Sequence, residues 1–358
     1  MKKKLAMLMA ATMVFGLTAC GSSDDSAAKD DTAKTDDAAK DDAAADDAAD
    51  SDAAASDGEF KADVNGDGKI IVGYISKNLT DPFHGPINES GTQKLDALVD
   101  EGVIDEWTGI LDGNTDGPTQ INCAQDCISK GCDYVIILPA EAEASDPAVV
   151  QMAEAGIHVV VVNSKTNSTD DLAMLYSGSD DVQAGEMMGN YIIEKCPDGG
   201  KYVHCNGILG NSAQIQRTEG IANTLGANEK FEMVADEDTQ WKGDLAANAA
   251  TNAMAQYGDE LVAIVCDNDD MSSAAQTACN SNGRSDIFCI GVDGNQTPLQ
   301  MIKDGELGAT VYQDGVGQLG AAIDAIVESI NSGSAPAEKE IMVDFVLVTS
   351  ENVDEYLQ

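Results

Sequence analysis

From Lys69 onward, short and wholly apolar runs alternate with amphipathic stretches, and this alternation limits the possible folds more than any other feature. The runs include "IIVGYIS" (70–76), "YVIILP" (134–139), "IHVVVVN" (157–163), "LVAIVC" (261–266), "DIFCIGV" (286–292) and "GATVYQ" (308–313). A strand that is apolar on both faces must be covered on both, which is the condition of a parallel sheet between helices. The stretches between the runs supply those helices. Asp81-Pro82 offers a cap and first-turn proline to a helix carrying Phe83, Ile87, Leu95 and Leu98. Further helices are expected near Pro118 to Lys130, Ala148 to Ala155, Val182 to Lys195, across "NSAQIQRTEGIANTL", from Leu245 to Tyr257 and from Val316 to Ile330. Additional strands are expected at "WTGILD" and "YVHCNGIL", and the extended run "IMVDFVLVT" closes the pattern. Some 300 residues with this many strands exceed one open sheet, so the expected fold is α/β with two doubly wound parallel-sheet lobes.

The first twenty residues have a basic start (Lys2 to Lys4), a short apolar run and small residues before Cys20, the anatomy of an export signal. The run is too short for a permanent membrane span. Leu17-Thr18-Ala19-Cys20 resembles the bacterial lipobox, which implies a signal peptide over 1–20 and a lipid anchor on Cys20. Residues 21–58 follow as an acidic tether. Up to Asp57 they carry thirteen aspartates, three lysines and no aromatic or branched aliphatic residue, so they self-repel and cannot bury a core. The chain's formal charge is -43, with about -36 of it on residues 59–358, which argues against nucleic acid as a partner.

Two features look like ion or redox chemistry. "DVNGDGKIIVGY" begins as a calcium loop with Asp63, Asn65 and Asp67 at alternate positions and Gly68 at the turn. Its twelfth position, however, is Tyr74, and its ninth, Ile71, lies inside the first strand. It reads as a polar turn where tether gives way to fold. The eight cysteines beyond Cys20 include no CxxC, and three histidines are few for a zinc site. They are read as small buried residues or structural disulfides, with Cys266 and Cys289 the first candidate pair if any is bridged. No metal and no cofactor are expected.

In doubly wound folds, ligands bind beyond the carboxyl ends of the strands. Those positions here are polar and specific: Lys77, Asp81, Phe83 and His84, then Asn163 and Ser164, then Asp267 to Asp269, then Asp293, then Gln313. Trp241, one of two tryptophans, lies in the polar segment "DEDTQWKGD". Aromatic faces with carboxylates, amides and an arginine suit a sugar, whose ring shows apolar C–H faces inside a rim of hydroxyls.

Several ordered motifs carry a resemblance: "DPFH", "GNSAQIQRTEG", "CDNDDM", "GVDG", "GATVYQD" and the terminal "VTSENVDEYL". Over roughly residues 69–358 the chain resembles the type I periplasmic binding proteins, specifically the ribose/galactose-type sugar-binding lipoproteins of ABC transporters. The resemblance implies that Phe83 and Trp241 stack on a sugar while Asp81, Asn163, Arg217, Asn268, Asp293 and Gln313 bond its hydroxyls. Lys77 resembles the first-strand lysine of arabinose-type relatives. Ser164, His84 and Asn163 stand where ribose binders carry arginine, a second phenylalanine and aspartate, which leaves the sugar open. The implied architecture is an N-terminal lobe of 59–179 plus 315–343 and a C-terminal lobe of 180–314 plus 344–358. Three crossings would join the lobes, which close on ligand by hinge motion. The implied partners are a monosaccharide, an ABC permease and, through the lipid anchor, the outer face of the cytoplasmic membrane, with the protein a monomer.

Other classes fare less well. No nucleophile elbow, GxxxxGK[ST] loop or metal triad marks an enzyme. A lac-type repressor would need a basic helix-turn-helix where the export signal stands. A lipoprotein presenting sugar to a chemotaxis or two-component receptor would have the same binding body and stays open as the alternative.

Overall fold

A computed structural model describes residues 60–357; the signal segment, Cys20 and the tether lie outside them. The first part of the chain runs β1 (Ile71–Ser76), α1 (His84–Asp100), β2 (Glu106–Asp112), α2 (Gly117–Lys130), β3 (Tyr134–Ile137), α3 (Asp146–Glu154), β4 (His158–Asn163), α4 (Thr169–Leu172) and β5 (Leu175–Gly178). It continues through α5 (Asp181–Lys195), β6 (Gly200–Asn206), α6 (Ser212–Ile221), β7 (Phe231–Asp238), α7 (Gly243–Tyr257), β8 (Leu261–Cys266) and α8 (Asp269–Ser281). The last part comprises β9 (Phe288–Ile290), β10 (Val292–Asp293), α9 (Gln296–Lys303), β11 (Ala309–Tyr312), α10 (Gly315–Ser332), β12 (Glu340–Met342) and β13 (Val346–Thr349).

One six-stranded sheet has the order β12-β5-β4-β3-β1-β2, with every pair parallel. Its two faces are covered by separate apolar clusters. Ile75, Val135, Ile137, Val159 and Val161 pack toward α2 and α3, while Tyr74, Ile136, Val160 and Val162 pack with residues of α1 and α10. The alternation within "HVVVV" therefore feeds two cores, as a strand buried on both faces must. The second half builds β7-β6-β8-β9, again parallel, and a smaller group β10-β11-β13. These two groups meet where one stretch of chain, Phe288 to Asp293, is interrupted at Gly291. The α/β class with two parallel sheets is thus as expected, with β13 added antiparallel to β11.

The chain passes between the halves after Gly178, between β11 and α10, and between β12 and β13. The last passage divides "IMVDFVLVT" into two strands. Ile341 packs against the core of the first sheet and Phe345 is buried in that of the second, so the segment serves two cores and breaks at Asp344. Helix α1 starts at His84 rather than Asp81; the Asp81 side chain still accepts the His84 N–H at 2.7 Å from just before it. Strand β7 was not expected. Its residues are mostly exposed and four are acidic, because it is the outer edge of its sheet.

All eight cysteines in the described residues are free thiols. Cys266 lies opposite Cys205 across β6 and β8, and Cys289 is in register with Ile264, so the suggested pair is not bridged. Seven are buried, and most of them sit in the apolar clusters as small side chains. In the turn before β1, the Asp63 carboxylate accepts the N–H groups of Gly66, Asp67 and Gly68, and Asp67 accepts that of Lys69. Its oxygens cap their own backbone. The turn is pinned to the fold by Asp133, which accepts from Val64 N and Ile71 N at 2.8 Å each.

Candidate functional site

The carboxyl ends of the strands from both halves face one cavity of about 560 Å³. All eleven residues singled out from the sequence line it: Lys77, Asp81, Phe83, His84, Asn163, Ser164, Arg217, Trp241, Asn268, Asp293 and Gln313. Ten of them lie at or beyond the ends of six strands, and Arg217 lies in the middle of α6. The parallel topology gathers them, because it puts the end of every parallel strand at the same edge of its sheet.

On the first half, Asp81 is held on all sides. His84 Nδ1 lies 2.8 Å from both its oxygens, and Asn78 Nδ2 donates to it as well. Burial works against its ionisation, but the His84 and Asn78 hydrogen bonds outweigh this and keep the carboxyl well below the usual range. With Nδ1 engaged by a carboxylate, His84 presents only Nε2 onward. Lys77 is buried, which lowers its ammonium pKa; its Nζ lies 5.0 Å from the centre of the Trp241 ring. Asn163 is tied through its amide to Gln318 of α10 at 3.1 Å.

On the second half, Arg217 is the central group. Its Nε and Nη2 meet Asp181 Oδ1 at 2.9 and 2.8 Å, Nη1 donates to the Asp267 carbonyl, and Nη2 reaches Gln313 Oε1 at 3.3 Å. Helix α6 approaches α5 closely enough to make this pair because both carry glycine at the crossing. A Cβ on Gly185 would lie 2.2 Å from the Arg217 carbonyl oxygen. Burial and the neighbouring Asp269 push the Asp293 carboxyl well above its ordinary range. Asp269 itself is raised to about 7 by burial, although Thr310, Gly294 and Asn295 donate to it. Asn268 caps α8 by accepting from Met271 N and also lines the cavity.

The backbone marks the same place. Six non-glycine residues have positive φ among the described residues: Asn114, Thr115, Asn163, Gln240, Trp241 and Asp293. Every one lines the cavity. They fall in equivalent positions of the two halves, since Asn114-Thr115 and Gln240-Trp241 each follow the edge strand of their sheet. Threonine, glutamine and tryptophan do not favour this region, and such strain is retained where surrounding structure imposes it. Asn114, Thr115, Gln240 and Asn211 were absent from the sequence-derived set. The first two follow "WTGILD" after Gly113, so the strand-end rule would have reached them. Gln240 follows β7, the strand hidden by its polarity.

Among the residues that line the cavity, three carry a buried side-chain atom with no hydrogen-bond partner among the described residues: His84 Nε2, Trp241 Nε1 and Gln313 Nε2. Among the described residues, no cluster of three His, Cys, Asp or Glu is arranged to hold a metal ion.

Comparison with known proteins decides the family. Residues 72–334 match the periplasmic binding protein domain. The chain belongs to this family. This periplasmic binding protein domain is 30% identical over 241 residues to a xylitol-binding protein of Mycolicibacterium smegmatis, covering 67% of this chain and 68% of that one. It is 26% identical over 261 residues to the ribose import binding protein RbsB of Salmonella typhimurium, covering 72% and 85%. Among solved structures it is similar to an ABC transporter solute-binding protein from Bacillus halodurans with bound myo-inositol. That match has a TM-score of 0.73 at 26% identity and covers 81% of this chain and 97% of that one. The Caulobacter myo-inositol binding protein, bound to myo-inositol, gives 0.71 at 26% identity, covering 80% and 95%. The family is one of binding proteins rather than enzymes.

Proposed function

We propose that the chain is an extracytoplasmic solute-binding lipoprotein that captures a monosaccharide or cyclic polyol between two lobes and delivers it to an ABC-type permease. The observation that carries this reading is the set of three unpartnered atoms, His84 Nε2, Trp241 Nε1 and Gln313 Nε2, buried around one cavity. A buried polar group left unpaired costs about 1–3 kcal/mol, so three in one cleft call for a ligand with several hydroxyls. Asp81, Asn163, Asn268 and Asp293 add acceptors, and Phe83 adds an apolar face. The relatives named for xylitol, ribose and myo-inositol support the same class of ligand.

Trp241 departs from a simple stacking role. Lys77 and Arg217 lie over its ring at 5.0 and 6.0 Å, so its unpaired Nε1–H is its main offer to a ligand, and Phe83 is the stacking surface. The N-terminal lobe is taken as 59–179 plus 315–343 and the C-terminal lobe as 180–314 plus 344–358. Cys20 is the lipid-bearing residue, and the acidic tether holds the body away from the membrane surface.

A thermal-shift screen of the full-length chain against pentoses, hexoses, deoxy sugars, inositols and disaccharides tests the reading. A ligand that binds only the folded state at 100 times its Kd stabilises by about 2.7 kcal/mol, so at least one ring compound should raise Tm by several degrees. A flat response across the panel counts against it.

A further inference from the structure

We infer that Asn211, with Ser212 beside it, is a latch that holds the two halves shut over the ligand without bonding the ligand itself. This rests on reading the cleft as the ligand site. The halves are joined covalently only at the three chain crossings. Away from those crossings, the start of α6 makes four hydrogen bonds to the loops that follow β3 and β4. Asn211 Nδ2 donates to the Ala140 carbonyl at 2.8 Å and to Ser164 Oγ at 3.4 Å. On either side, Ala142 N donates to the Gly210 carbonyl at 2.9 Å and Lys165 N to Ser212 Oγ at 2.8 Å.

Asn211 is fully buried and lines the cavity, yet its bonding capacity is spent. Both amide hydrogens cross to the other half, and Oδ1 accepts the N–H groups of Ala213 and Gln214 as the cap of α6. One side chain therefore starts the helix that carries Arg217 and ties that helix to the opposite half. If the bound geometry needs the halves closed, apparent affinity falls with the fraction of molecules that are closed, whatever the ligand contacts.

Two substitutions separate latching from ligand contact. Asn211→Asp keeps an equally good helix cap but removes both donors and turns a carboxylate oxygen toward the Ala140 carbonyl. Ser212→Ala removes the acceptor for Lys165 N at a residue that does not line the cavity. Full-length parent and variants are titrated calorimetrically with ribose, xylitol and myo-inositol, and amide hydrogen exchange is followed at Ala142, whose own bond neither substitution touches. For whichever probe binds the parent, affinity should fall about tenfold in Asn211→Asp and about threefold in Ser212→Ala. Ala142 should exchange faster in both, while the ligand-free Tm stays within about 2 °C of the parent. Unchanged affinity with unchanged Ala142 exchange overturns the latch. If no probe binds the parent, the sugar reading of the cleft loses support, and the Ala142 exchange rates alone decide the latch.

Discussion

Replacing Arg217 with methionine is expected to abolish ligand binding and to lower the stability of the fold by about 3–5 kcal/mol. Arg217 and Asp181 are both nearly inaccessible, with 4% and 2% of their side chains exposed. Methionine fills the space but leaves the Asp181 carboxylate buried without its counter-ion, and it frees the Asp267 carbonyl and Gln313 Oε1. The cost is set by that stranded charge rather than by the value of the ion pair. Adding Asp181→Asn to Arg217→Met should therefore restore part of the lost stability, which a denaturant-unfolding double-mutant cycle measures. It should not restore binding, because the guanidinium at the cleft wall is still gone. Equal stability of Arg217→Met and the parent would show that the pair is not buried as described.

The second large effect is on pH. His204 lies in β6 with Nδ1 3.0 Å from Asp236 and Nε2 3.0 Å from Asp267. Burial alone would lower the imidazolium pKa, but the two carboxylates override it and raise it to about 10. A group whose pKa is raised on folding contributes stability that is fully present below its unfolded value, about 6.5, and lost as pH rises through the folded value. Asp269, raised to about 7, acts in the same direction at lower pH, since the unfolded chain releases that proton more readily. Asp81 acts oppositely in acid, because its depressed pKa contributes stability that is lost as pH falls below its unfolded value. Stability should therefore be greatest near about pH 4, decline toward about pH 7 as Asp269 ionises in the fold, and fall by a further roughly 3 kcal/mol between about pH 6.5 and 9 as His204 loses its proton. Melts across that range should show Tm dropping by about 5–10 °C, and His204→Gln should be less stable at pH 6 with a flatter alkaline limb. A parent profile that rises toward pH 9 would mean that His204 is neutral in the fold.

The strands most plainly legible in sequence are the long ones buried on both faces; β5, buried but only four residues long, was not expected. The run of β4 is apolar on both faces because it feeds two cores, so it could be read without its neighbours. Strand β7 was not legible, because an exposed edge strand carries acidic residues and looks like loop. Nine of the eleven cavity residues could be listed because the topology itself sends strand ends to one place; Arg217, in the middle of α6, came from the resemblance and Trp241 from its polar surroundings. Their electrostatic partners could not. With 63 acidic residues in the chain, nothing in "SDDVQAG" marks Asp181 as the one buried against Arg217. The positive φ of Thr115, Gln240 and Trp241 was equally hidden, since local preference opposes it and only the surrounding structure imposes it. Asn211 was read only as the start of a helix, which is half of what it does.

The central claim is that this cleft holds a polyhydroxylated ring, and the most direct test is a crystal structure of the chain grown with whichever sugar or polyol raises its Tm. The expected result is a ring in the cavity with oxygens within hydrogen-bond distance of His84 Nε2, Trp241 Nε1 and Gln313 Nε2. A ligand bound elsewhere, with those three atoms still unpaired, would contradict it.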